Sequence, residues 1–353
     1  MSWQAAVDLD RLSAWMDGQG LVKGDISDVR PLTGGTQNIL LRFTRGGRGY
    51  VLRRPPARPD PRADATMARE ARVLAALAGS AVPHSALIAA CDDPTVLGAA
   101  FYLMEPVVGF NPSGQPLPAL HAAERDWRRA MGLSAVDALL RLGEVDYRAA
   151  GLEGFGKPQG FLERQVSRWH AQLDSYAGLP GWPGVAGLPG VEALGAWLEA
   201  HRPEPSPAGL LHGDFHLSNL MFRFDAPAVA AIVDWELATV GDPLLDLGWL
   251  IATWPDASGR GAGTIHIEPW DGFPSVAELI AHYGERSRRD LSRLPWYVAL
   301  AGYKLGILLE GSYARTCAEG TAEARRELGL KHHASARRLI QKALAHIDSG
   351  AIA

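Results

Sequence analysis

The sequence predicts an α+β chain of two lobes: a small N-terminal lobe with an antiparallel sheet and one main helix, and a larger, mostly helical C-terminal lobe. Three observations predict it. Before Gly109, short apolar and β-branched runs alternate with Gly, Pro and Asp turns. After it, apolar residues recur at helical spacing over long stretches. The 353 residues are ample for a large core and favour two units over one. The expected boundary divides residues 1–106 from residues 107–353.

Val7, Leu9, Leu12, Trp15 and Met16 give residues 7–19 one apolar face, a short helix ended by Gly18. From Val29 to Phe43 the chain reads strand, Gly34-Gly35 turn, strand. Another strand, Tyr50-Val51-Leu52-Arg53, stops at Arg54 and Pro55-Pro56. Side chains alternate along it, so Val51 and Arg53 share a face. The Pro- and Arg-rich segment 55–64 is expected as an exposed loop, with Arg58 and Arg62 a solvated charge cluster. Met67, Val73, Leu74 and Leu77 form the apolar stripe of a helix over 63–77. Strands follow at 86–90 and 99–104, separated by the Asp92-Asp93-Pro94 turn.

Helices are expected over about 121–145, 158–176 and 190–201, with a Gly/Pro-rich loop at 178–190. A buried helix begins at Leu244, behind a Gly241-Asp242-Pro243 turn, and further helices cover 276–282, 296–315 and 321–345. Lys304, Glu310, Tyr313 and Arg315 interrupt an otherwise apolar helix. They either line a pocket or form an ordinary amphipathic face.

The stretch from Leu210 to Asp246 carries the chemistry. It reads LLHGDFHLSNLMF, then a turn, then VAAIVDWELATVGDPLLDL. Asp214 precedes Asn219 by five positions, and Asp234 ends a β-rich run. Phosphoryl transfer needs a carboxylate near the acceptor hydroxyl, plus an Asn and an Asp holding Mg²⁺ on the phosphates. The kinase loop pattern H-R-D-x-x-x-x-N followed by a metal-binding Asp turn has these residues in this order. A hairpin from Leu220 through Asp225-Ala226-Pro227 to Val233 would set Asn219 beside Asp234, and hard oxygen ligands suit Mg²⁺. His212 is expected to pack and orient the loop, since the template gives the base role to the Asp. Asp246 sits among apolar neighbours, needs hydrogen-bond partners, and is expected to brace the loop around His212.

The same template gives meaning to the N-terminal residues. Glycines at 34 and 35, with Thr36 and Asn38, form a turn whose backbone N–H groups can approach phosphates. Arg53 fits the strand position of a phosphate-binding cation, with Arg54 the competing assignment. Glu70 is the one glutamate between Arg53 and Glu105, hence the available glutamate partner for Arg53; otherwise it pairs on its own helix with Arg69 or Arg72. At the junction of the lobes, the carbonyl of Glu105 and the N–H of Val107 can meet a nucleotide base, whereas Pro106 has no N–H.

Composition narrows the classes. A formal charge of −4 gives no global basic footprint for nucleic acid. Cys91 and Cys317 follow no metal or redox spacing and read as reduced thiols. The N-terminal MSWQAAVDLDRLSAWM does not look like a signal peptide, and no apolar run is long enough to span a bilayer. A soluble cytoplasmic protein is expected, with no membrane or nucleic-acid partner.

Taken together, LTGGTQNIL, YVLRRPP, the Glu70 helix, CDDPTVLGAAFYLMEPVVG, the Leu210–Asp246 phrases and KLGILLEGSYAR resemble the aminoglycoside phosphotransferase family, over roughly residues 25–330. Within it, the chain resembles the branch found as a kinase-like domain ahead of some acyl-CoA dehydrogenases. The resemblance implies a bilobal protein-kinase-like fold using ATP or GTP with Mg²⁺. It implies Asp214 as the catalytic Asp, Asn219 and Asp234 as metal ligands, and Arg53 and Glu70 as the pair positioning the phosphates. It also implies a small-molecule hydroxyl acceptor, such as a hydroxyacyl-CoA, with an aminoglycoside or amino alcohol as the alternative. Two departures stand out: Arg53 where many members have Lys, and Trp235-Glu236 in place of the Phe-Gly of protein kinases. The competing classes are a nucleotide-binding module without catalysis and a metal-dependent hydrolase.

Overall fold

Strands β1 (Ile26–Pro31), β2 (Ile39–Arg45), β3 (Arg48–Arg54), β4 (Leu87–Cys91) and β5 (Phe101–Met104) form one antiparallel sheet, ordered β1-β2-β3-β5-β4. The computed structural model describes residues 3–32, 38–56, 61–263, 265–318 and 320–349. Alternation along β2 and β3 sends Leu41, Phe43, Tyr50 and Leu52 to one face, where they pack with Phe101 and Leu103 of β5. Helix α1 (Leu9–Gly18) covers that face through Leu12 and Met16. Asp8 caps it, accepting from the N–H groups of Asp10 and Arg11 at 3.0 Å each.

Helix α2 (Pro61–Leu77) follows the sheet's central strands, and α3 (Pro94–Leu97) is a single capped turn. The apolar stripe of α2, including Met67, Val73 and Leu74, joins Tyr102 and the helical lobe in a second, larger core. That lobe contains α4 (Ala119–Ala123), α5 (Arg125–Gly143), α6 (Glu163–Asp174), α7 (Val191–Ala200), α8 (Leu244–Thr253), α9 (Val276–Arg286), α10 (Leu294–Thr316) and α11 (Glu323–Ser349). The helix expected over 121–145 is two, because Glu124 has extended backbone between α4 and α5. The helix expected from 158 begins only at Glu163, and the one expected to end at His282 continues to Arg286. Among the described residues, no helix is long and apolar enough to cross a membrane.

Two small ribbons sit between the helices and the sheet: β6 (Gly209–Leu211) with β9 (Thr239–Gly241), and β7 (Leu220–Phe222) with β8 (Val229–Ile232), both antiparallel. The second ribbon is tied once to the N-terminal part and once to the segment just after the expected boundary. Ile232 N–H donates to the Pro83 carbonyl at 2.9 Å, and Phe110 exchanges two 2.8 Å backbone bonds with Phe222. The hairpin read from the sequence is therefore a fixed platform under the sheet.

Candidate active site

The β7–β8 register pairs Leu220 with Ile232, and the Val233 N–H donates to the Asn219 carbonyl at 2.9 Å. Asn219 and Asp234 thus leave adjacent strand ends. Asp234 stands in the left-handed region, φ +69° and ψ +65°. That conformation is uncommon for a non-glycine residue, although Asp tolerates it better than most, and it turns the carboxylate back toward the sheet.

The loop before Asn219 is held from several sides. Asp246 on α8 accepts the N–H of His212 at 2.6 Å and that of Gly213 at 2.9 Å. His212 is fully buried and its Nε2 donates to the Val233 carbonyl at 2.9 Å, which leaves Nδ1 to accept the Asp214 N–H at 3.3 Å. Lys304 on α10 donates to the Gly213 carbonyl at 2.7 Å. Gly213 has φ +85°, and a Cβ there would lie 2.4 Å from the Leu237 carbonyl oxygen, so only glycine suits the turn. The bracing roles expected of His212 and Asp246 are both present.

These restraints bring Asp214 and Asn219 together. Asn219 Nδ2 donates to Asp214 Oδ2 at 3.0 Å and to its carbonyl at 2.9 Å, which aims the amide oxygen elsewhere. His216 Nε2 lies 3.3 Å from Asp214 Oδ1. Burial works to raise the Asp214 carboxyl, but contact with His216 and the nearby His212 and Lys304 hold it well below the usual carboxylate range. His216 was not singled out in the sequence; its place two residues after Asp214 was the available signal.

Opposite, Arg53 bridges two carboxylates. Its Nε lies 3.0 Å from Glu70 Oε2, and its Nη2 lies 2.7 Å from Asp234 Oδ1. Tyr102 OH donates to Glu70 Oε2 at 2.8 Å. Burial pushes the Glu70 carboxyl up to about 7, against the pull of Arg53 and Tyr102. Burial also opposes the Arg53 cation, yet Glu70, Tyr102 and Asp234 outweigh it and raise its pKa. The alternative residues lie elsewhere. Arg54 points to the other face, donating to the carbonyls of Ala6, Pro55 and Leu97. Arg69 and Arg72 reach the carbonyls of Phe155, Ala238, Gly151 and Glu153 rather than Glu70.

Glu236 feels the charges of both groups: its carboxyl is raised by burial and by Asp234 and Asp214, with Arg53 opposing. Of the turn expected to cradle phosphates, Gly34, Gly35 and Thr36 lie outside the described residues; Asn38 is half-buried just before β2. Glu105 directly follows β5, its carbonyl accepting the Ser85 hydroxyl at 2.5 Å and its carboxylate 2.9 Å from Arg48. Glu105 and Val107 line a cleft of about 580 Å³ with Arg223 and Phe224 from the β7–β8 turn. Of the polar residues on α10, Lys304 faces the Gly213 loop, whereas Glu310 is buried against Trp182 and His333.

Among the described residues, no cluster of three or more His, Cys, Asp or Glu side chains forms a metal cage. Magnesium does not require one: it takes one or two protein oxygens and completes its shell with phosphate and water. The Asn219 amide oxygen and the Asp234 carboxylate supply hard oxygens of that kind, so the residues present fit the ion.

Comparison with known proteins identifies the family and the fold. The model of the phosphotransferase enzyme family matches residues 28–294. Acyl-CoA dehydrogenase family member 11 of Gallus gallus is 33% identical over 301 residues, covering 81% of this chain but 36% of its own length. Acyl-CoA dehydrogenase family member 10 of Mus musculus is 30% identical over 292 residues, covering 80% of this chain and 26% of its own length. The chain therefore spans about a third or less of these relatives. A crystal structure from Ralstonia eutropha with a provisional aminoglycoside phosphotransferase designation superposes with a TM-score of 0.76 at 29% identity, over 96% of this chain and 98% of that one. A thermostable mutant of aminoglycoside phosphotransferase APH(4)-Ia, solved with AMP-PNP and hygromycin B, shares the fold at a TM-score of 0.59 and 15% identity, over 93% and 97% of the two chains. By the family match, the relatives and the kinase-like fold, the chain belongs to the phosphotransferase enzyme family.

Proposed function

We propose that the protein transfers the terminal phosphoryl group of ATP or GTP to a hydroxyl of a small molecule. The observation that carries this reading is the pairing of an ionised Asp214, clasped by Asn219, with the Arg53–Glu70–Asp234 bridge across the same site. Phosphoryl transfer demands little covalent work from a protein, so positioning and charge neutralisation account for most of the catalysis.

Each residue then has a task. Asp214 accepts a hydrogen bond from the acceptor hydroxyl and aligns its oxygen for in-line attack. Its depressed pKa makes it a weak base, so the proton moves late, once the forming P–O bond has acidified the hydroxyl. Arg53 presents a planar fork to the phosphates, with Glu70 fixing its plane. Asp234 and Asn219 would hold magnesium, which when bound neutralises the phosphate oxygens. We place the phosphates toward Gly34, Gly35, Thr36 and Asn38, and the base against Glu105 and Val107. The names of the relatives make hydroxyacyl compounds, as thioesters or free acids, the first acceptors to screen.

The test is a coupled ADP-release assay over hydroxyacyl-CoAs, amino alcohols and aminoglycosides. With an active acceptor, Asp214→Asn should lower kcat about 10²–10⁴-fold. Calorimetry should show its nucleotide affinity little changed. Undiminished turnover in that variant rejects the role.

A further inference from the structure

A cavity of about 240 Å³ opens beside the catalytic loop, between α6, α8 and α10. Gly213, which directly precedes Asp214, lines it with Asp246 and Lys304 on the loop side, Trp169 and Trp249 supply aromatic walls, and Glu236 adds a carboxylate that feels the charges of Asp234 and Asp214. The charges around it are not equally available. Both oxygens of Asp246 are occupied by the N–H groups of His212 and Gly213. The Arg69 guanidinium is committed to the carbonyls of Phe155 and Ala238 and lies 4.2 Å over the Phe155 ring. Lys304 and Arg168 remain, against Glu236.

Lys304 is the telling residue. Its Nζ makes one hydrogen bond among the described residues, to the Gly213 carbonyl, and lies 4.2 Å from the Trp249 ring centre and 5.4 Å from that of Trp169. An ammonium has three donors, and ring faces satisfy the others only weakly. Arg168 is exposed, its guanidinium 5.2 Å over the Trp169 ring. Cations flanked by indoles suit a compact anion on a short apolar stem. A polycation would instead need carboxylates free to meet it, and among the described residues lining the cavity only Glu236 answers that description.

We propose that this cavity is the acceptor site and selects a small alcohol bearing a compact anion, a carboxylate or a phosphate. The anion sits on Lys304 Nζ, the stem lies between Trp169 and Trp249, Arg168 guards the entrance, and the hydroxyl turns toward Asp214. This rests on the phosphotransferase reading and narrows its acceptor to anionic alcohols. Lys304 is then a specificity residue as well as a brace for the loop.

The test uses short ω-hydroxyalkanoates, hydroxyalkyl phosphates and amino alcohols of matched length, with ADP release as the readout. One or both anionic series should accelerate ADP release while the amino alcohols do not, and the better series identifies the anion. Lys304→Met should raise the acceptor KM about tenfold or more and leave the nucleotide KM unchanged. Arg168→Gln, at an exposed position outside the loop, should raise it about threefold with an unchanged melting temperature, and decides the matter if Lys304→Met fails to fold. Preference for amino alcohols, or no acceleration by either anionic series while nucleotide binds, overturns the proposal. So does an unchanged acceptor KM in the folded variants. Failure of the wild-type chain to bind nucleotide overturns the phosphotransferase reading instead.

Discussion

Lys304 and Asp214 show how a residue's surroundings set its chemistry. Burial pulls the Lys304 ammonium down to about 8, with Asp214 and Asp246 pulling it back up and Arg168 adding to the fall. The ammonium is present below that pH and lost above it. Acceptor kcat/KM should therefore fall as pH rises through about 8, while Lys304→Arg, charged throughout, should lack that limb. Stability moves the other way. The folded pKa lies below the ordinary value, so burying the charge costs stability below about 8, and that cost disappears as pH rises. A pH–rate profile paired with thermal melts at each pH checks both directions. A kcat/KM that stays flat through the window removes Lys304 from acceptor recognition.

At the scale of elements, the loop from His212 to Asn219 is shaped from outside itself. It contributes Gly213, Asp214 and Asn219, but α8 supplies Asp246, α10 supplies Lys304 and the β8 end supplies the Val233 carbonyl. Asp246→Ala should orphan two N–H groups at about 1–3 kcal/mol each. Urea denaturation should register that loss, and turnover should fall further than nucleotide affinity because Asp214 loses its placement. Wild-type stability in the variant would contradict the bracing role. The approach of α8 to α10 also depends on a glycine: a Cβ at Gly248 would lie 2.7 Å from the Tyr297 backbone.

Across the whole molecule, Arg53 joins a strand of the sheet to a turn beyond the β7–β8 ribbon, reaching Glu70 and Asp234 at once. A planar fork spans two carboxylates; an ammonium is a point charge. Arg53→Lys should therefore keep one ion pair and lose the other. We expect a destabilisation of about 1–3 kcal/mol and a nucleotide affinity several-fold weaker, measured by thermal melts and calorimetry. Equal stability and affinity in the variant would show that the bridge does not couple the two parts.

The sequence by itself determined the α+β class, most element positions and the order Asp214, Asn219, Asp234, because periodicity and short-range spacing are local properties. It also named His212 and Asp246 as supports, since polar residues among apolar neighbours must find partners. Tertiary structure alone showed that Arg53 and not Arg54 meets Glu70 and Asp234, found Tyr102 as a partner of Glu70, and gathered Lys304, Arg168, Trp169 and Trp249 around one cavity. The reason is physical: those residues lie tens to hundreds of positions from Asp214, and what sets their charge and contacts is packing between helices, which no spacing along the chain encodes.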